Sequence, residues 1–231
     1  MNRLILILIL TVSLLNAQSA LDSFKNKDYE KAYKLYMIDA KSGDTIAQNA
    51  LSYLYFNGIG ITKDTDKGLF WLKKSAHNMD SRAQYDLAMM YLSGHNIEQN
   101  SKLAFTWLDS SADLGNTDAQ YNLALMYYNG DSTDQNVTKS AELLESAATK
   151  GHQGAIKNIG VVYMQLIQFN KALKWLKVNA EKGDVNSYYL LAEVYCNQDK
   201  FPEAKIWAKK SIDAGNTDAK ALWKKYKLSE Y

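Results

Sequence analysis

The side chains that do acid–base, metal or nucleophilic chemistry are few and scattered. His77, His95 and His152 stand in separate stretches of the chain, so a shared metal site is not expected, and polar loop or helix-end roles fit them better. The segment GDSTDQN at 130–136 offers Asp131 and Asp134 but not the acidic spacing of a calcium loop. Cys196 is the one cysteine, so no intrachain disulfide can form, and no histidine has a reason to sit beside it as a base. No Ser is followed three residues later by Lys, and K-T-G, H-E-x-x-H and G-x-S-x-G do not occur. The reading is therefore not an enzyme, with no catalytic residue, no metal and no cofactor.

What does recur is a stripe of aromatic and long apolar residues. Tyr53 and Phe56 are followed by Tyr85 and Met89, then by Tyr121, Leu125 and Tyr128, and later by Tyr189. At helical spacing each set shares one side of its helix, rotated away from a second apolar set. Tyrosine combines a broad face with a hydrogen-bonding tip, a combination suited to holding peptide. Asn49, Arg82, Asp118, Lys157 and Glu193 would add polar selectivity to the same surface. Part of each aromatic face is also expected to pack between neighbouring helices.

The elements behind that stripe come from repetition. GNTDA appears at 115–119 and again at 215–219, with relatives at 43–47, 151–155 and 183–187. Measured from these phrases, 45–80, 81–116 and 117–152 are blocks of 36 residues, and 153–184 and 185–216 are blocks of 32. A fixed period of this size signals a stacked repeat protein. Each block reads as two amphipathic helices. The first carries a small-large-small-Tyr stripe: Ala83, Leu87, Ala88, Tyr91, then Ala119, Leu123, Ala124, Tyr127. The second places small residues around a large one, as in Ala104, Trp107, Ala112 and Ala172, Trp175, Ala180, so that backbones approach closely. One block holds too few large side chains to stand alone, and stacking completes its core.

GNTDA is then the joint between blocks. Glycine ends one helix in the left-handed conformation, and Asn or Thr caps the next. Met79 occupies the glycine place in the first block, where Asn78 is expected to supply the turn. Residues 18–44 form an N-terminal cap, with KNKDYEKAYKLYMIDAKSGD (25–44) as a half-repeat, and 217–231 forms a C-terminal capping helix. Before them, Arg3 and the run LILILILTVSLL at 4–15 read as a signal peptide over 1–17. A cut after Ala17, a cut after Ala20 and a retained anchor are all compatible with it. The chain is expected to be exported, periplasmic or secreted, and bacterial.

A net charge of +2 gives no case for a nucleic-acid partner, and 47% hydrophobic content with a single proline favours a packed helical fold. Membrane contact is confined to an uncleaved signal or to the Lys-rich KALWKKYK at 220–227, and a monomer is expected.

The pattern A-x-x-x-L-[GA]-x-x-Y-x-x-G, a loop, then A-x-x-W-x-x-x-[SA]-A resembles the Sel-one-like repeat (SLR) family. It runs from Ala47 to Gly58 and from Gly68 to Ala76, and recurs from Ala83 to Gly94 and from Ala119 to Gly130. The last two blocks lack the loop glycine and look more like tetratricopeptide repeats. The resemblance implies an all-α, right-handed α/α superhelix of antiparallel helix pairs, a scaffold or adaptor that binds a protein or peptide in its concave groove. It would place the tyrosine stripe in that groove. The alternative it carries is a cell-envelope hydrolase of the β-lactamase-labelled SLR type. That subgroup is cysteine-rich, with a disulfide in each repeat, and this chain has no matching cysteines.

Overall fold

The computed structural model describes residues 19–231. The apolar run at 4–15 and the cut after Ala17 lie outside the described residues, as does Gln18. Within them stand α1 (19–25), α2 (Tyr29–Ser42), α3 (Thr45–Asn57), α4 (Thr65–His77), α5 (Ser81–Ser93), α6 (Ser101–Asp113) and α7 (Thr117–Asn129). They continue as α8 (Val137–Thr149), α9 (Gln153–Gln165), α10 (Phe169–Glu181), α11 (Val185–Asn197), α12 (Phe201–Asp213) and α13 (Asp218–Lys225), closed by a 3-10 turn over Leu228–Glu230. No strand occurs among the described residues. The class is the all-α repeat expected.

Two compact units divide the chain, one up to Ala119 and one from Gln120 onward. In the first, consecutive helices from α2 to α6 pack against one another. In the second the same holds from α8 to α13, and α13 also touches α11. Short connections between contacting helices make neighbours antiparallel.

The small-large-small stripe is the core. Leu51 and Leu87 in the first unit, and Leu123, Ile159 and Leu191 in the second, are at most 1% exposed, and the alanines beside them are buried. Removing a Leu-sized side chain from water contributes roughly 1.5–3 kcal/mol, so this row supplies much of the fold's stability. Trp71 and Trp175 are buried as the second helices require, whereas Trp107 is half-buried with its ring edge against His77. Close approach is literal at Gly68, where a Cβ would lie 2.7 Å from the Phe56 ring, and at Gly160, 2.7 Å from Leu176.

The joints form as the repeated phrase predicts. Gly115 and Gly215 have φ of 88° and 90°. The side-chain oxygen of Asn116 accepts from the Ala119 amide at 2.9 Å, and that of Asn216 from the Ala219 amide at 3.2 Å. Asp44, Asp80, His152 and Asp184 cap the other first helices in the same way. The expectation for Asn78 is corrected. Met79 itself takes the left-handed turn at φ 66°, while Asn78 stays at φ −85° and its side-chain Nδ2 donates to Gln48 Oε1 at 3.2 Å. Asn78 holds the closing position of its helix, which takes φ of −76° at Leu114, −88° at Lys150, −86° at Lys182 and −82° at Ala214, so the left-handed turn falls on the residue after it whatever that residue's type.

Candidate functional site

In the first unit the outer faces of α3 and α5 meet the end of α1 and the middle of α2 around a cavity of about 470 Å³. Ligand sites commonly span roughly 300–1,000 Å³, so its volume suits several side chains of a guest. Its walls are Leu21, Phe24, Tyr36, Ile46, Asn49, Ala50, Tyr53, Asp80, Arg82 and Asp86. Tyr53 is 52% exposed and Ile46 71%, an unusual display of large apolar surface. Phe24 meets Tyr53 edge-on with ring centres 6.3 Å apart, and the Phe24 ring is braced by Tyr29 at 5.4 Å.

The polar groups here are unequal. Asp80 is committed to capping α5, its Oδ1 accepting from Ala83 N at 2.7 Å. Asp86 accepts from Arg82 Nε at 3.4 Å. Burial pushes the Asp86 carboxyl above its ordinary value, against the pull of Arg82 and with a further push from Asp80.

In the second unit a crevice of about 200 Å³ opens among Leu125, Tyr128, Ser140, Leu144, Asn158, Val161 and Val162. Ser140 is fully buried, and its hydroxyl has no hydrogen-bond partner among the described residues.

Of the sequence-derived groove residues, the structure gathers Asn49, Tyr53 and Arg82 at the first cavity and Leu125 and Tyr128 at the second. The others are placed differently. Phe56 lies over Gly68 of its own pair. Tyr85 and Met89 are half-buried on α5, and Asp118 and Lys157 are exposed. Tyr121 lies tilted against His152 with centres 4.5 Å apart, packs against Gly154, and its hydroxyl accepts from Asn158 Nδ2 at 3.2 Å. Tyr189 and Glu193 are half-buried on α11, where burial raises both pKa values. Ile46, Ala50 and Asp86, which line the first cavity, are absent from the sequence-derived set. Helical geometry carried the signal: residues 46, 49, 50 and 53 follow i, i+3, i+4, i+7 spacing on one face.

The remaining candidates for chemistry have structural work. His77 Nδ1 lies 2.7 Å from the Lys73 carbonyl oxygen, and His152 caps α9. Asp131 accepts from the Asn129 side chain at 3.0 Å. Cys196 is buried in the second unit's core, and burial, reinforced by Glu193, pushes its thiol up to about 11, away from thiolate chemistry. Among the described residues no group of His, Cys, Asp and Glu could hold a metal ion, and no helix is long and apolar enough to cross a membrane. In the Lys-rich end, Leu222 is buried and Trp223 and Tyr226 pack onto the core of the last repeat.

Helix pairs joined through capped turns, with a partly apolar cavity on the first helices, define a helical-repeat protein of the scaffold class. The Sel1 repeat model matches residues 23–36, 45–78, 81–116, 117–152 and 185–216, and the chain belongs to the Sel1 repeat family. Residues 153–184 fall between matched segments. Among solved structures it is similar to a Sel1 repeat protein from Oxalobacter formigenes, with 27% identity and a TM-score of 0.70, over 88% of this chain and 87% of that one. A protective antigen from uropathogenic Escherichia coli strains, displaying an SLR fold, is 26% identical with a TM-score of 0.73. That match covers 92% of this chain and 49% of the antigen, so the chain spans about half the antigen's length. No curated protein matches the chain in sequence.

Proposed function

We propose that this Sel1 repeat protein is an exported, non-catalytic scaffold that holds a protein or peptide segment against the first helices of its N-terminal unit. One observation carries the reading: the cavity beside α3 and α5 combines exposed Tyr53 and Ile46 with Asn49 and Arg82. Apolar walls with a few directed polar groups recognise peptide, and a monomer presents them without needing a second copy.

Export rests on the apolar run at 4–15. Ala20 is fully buried in the first unit's core, so a cut after Ala17 preserves packing that a cut after Ala20 removes. The likeness to a protective antigen agrees with a place outside the cytoplasm. Mass spectrometry of the mature chain tests this, with Gln18 the expected first residue; an intact Met1 in the soluble envelope fraction would contradict cleavage.

For binding, crosslinking in envelope extract is expected to capture partners with the native chain and to lose them with Tyr53→Ala and Asn49→Ala together, the helical circular dichroism being unchanged. Unaltered capture by that variant would remove the cavity from the function.

A further inference from the structure

We propose that the segment seated in the first unit's cavity carries a lysine or arginine next to an apolar residue, the cation meeting Asp86 and the apolar neighbour resting on Phe24 and Tyr53. This rests on the reading of the cavity as a peptide site and adds its chemical selectivity.

The charges at the cavity do not balance. It is lined by two carboxylates, Asp80 and Asp86, and one guanidinium, Arg82. Asp80 already accepts from the Ala83 amide. Arg82 approaches Asp86 through a single nitrogen at 3.4 Å, and its side chain is 70% exposed against 37% for Asp86. A long, one-point contact from a solvated arginine is a weak partner, far from the paired fork that Arg and carboxylate make when fully engaged. Among the described residues no other cation lies beside that carboxylate. Burial has raised the Asp86 pKa despite Arg82, consistent with a carboxylate short of counter-charge.

An anionic guest would meet two carboxylates, and a neutral one would desolvate Asp86 further without compensation. A cationic side chain supplies the missing charge. Its path is favourable as well, because the faces of Phe24 and Tyr53 carry negative quadrupole density that attracts lysine and arginine heads. The stems of those side chains, and an apolar neighbour, match Leu21 and Ile46, which are 40% and 71% exposed.

The test uses the mature chain, from Gln18 onward, on an array of random twelve-residue peptides; the strongest binder is then remade with each Lys or Arg changed to Gln. The strongest binders are expected to be enriched in a basic residue beside Leu, Ile, Val or Phe. Changing that residue to Gln should weaken binding roughly ten-fold, the scale of one partly exposed charge pair. Asp86→Asn should erase the difference between the two peptides, and Asp86→Glu should retain it. Because burial disfavours the charged form of Asp86, Asp86→Asn should not lower the melting temperature, which separates lost recognition from lost folding. Binders without basic enrichment, or an Asp86→Asn protein that still prefers the basic peptide, would overturn the proposal. If Tyr53→Ala still abolishes binding in that case, the peptide-site reading survives alone. If neither variant affects binding, both readings fall.

Discussion

The pairs α3–α4, α5–α6 and α7–α8 close through connections at 58–64, 94–100 and 130–136, whereas α9–α10 and α11–α12 close through 166–168 and 198–200. The longer connections leave the first helix at a left-handed glycine, Gly58, Gly94 or Gly130. They enter the second helix through Asp64, Asn100 or Asn136, each accepting a backbone hydrogen bond. The shorter ones place Ile167 and Asp199 at φ 58° and 57°, and begin the second helix at Gln168 or Lys200 with no side-chain cap. Inside the pairs, Ser75 and Ser111 donate to the carbonyls of Thr45 and Ser81, while the later pair α9–α10 uses Asn179, donating to the Ile156 carbonyl at 2.9 Å. The core row is nevertheless equally buried in both kinds of pair. Helix packing in this fold therefore tolerates loss of four residues from a connection, and the consequences stay local to the turn.

The largest effect sharpens that equivalence. Leu87→Ala and Leu191→Ala should each destabilise by about 3 kcal/mol in urea unfolding, within the range for buried leucines. A much smaller loss at Leu191 would show that the short pairs are held together less by this row than the long ones.

Caps come next. Asn100→Ala should cost about 1 kcal/mol, since it strips the acceptor from the Leu103 amide. Lys200→Asp should gain a similar amount by adding one. Lys200→Asp without any gain would mean the short connection holds its first turn by other means.

A smaller gain is expected from Ile167→Gly. A β-branched residue in the left-handed region costs roughly 1–2 kcal/mol, offset in part by the unfolded freedom of glycine. Thermal melts should rise by a degree or two, and Met79→Gly should behave alike.

The least effect is on pH. Burial raises the pKa of Asp39, Asp86 and Glu193 in the folded chain. Their charged forms weigh against folding above those folded values, and the penalty is relieved as pH falls through them toward the unfolded values. Mild acidification should therefore raise the melting temperature slightly. Asp86→Asn should flatten part of that rise, and Asp39→Asn another part, since Asp39 is 3% exposed with Oδ2 lacking a partner among the described residues.

Much of the fold was legible because it is written several times. Ala47, Ala83, Ala119 and Ala155 stand in one register, and all are buried. The joint was legible too, since glycine and a capping side chain leave few alternatives for the backbone. Met79 was not: the left-handed turn keeps its place one residue after the helix closes, so it falls on Met79 although Asn78 beside it is the residue better suited to that conformation. The cavity face was half legible. Selecting residues by apolar character picked Phe56, which turns toward Gly68, and passed over Ala50 and Asp86, which line the space because of their angle on the helix. A small residue that leaves room, and a carboxylate that is unusual only once buried, carry no hydropathy signal.

The glycine-then-asparagine turn after α6 recurs after α12, with the same five letters. A gene that lost codons 117–216 would still encode an unbroken junction from Asn116 into Thr217. Size in such a protein is a countable quantity, open to change by copying or excising whole modules, and recombination between the two identical stretches would meet matching backbone on both sides.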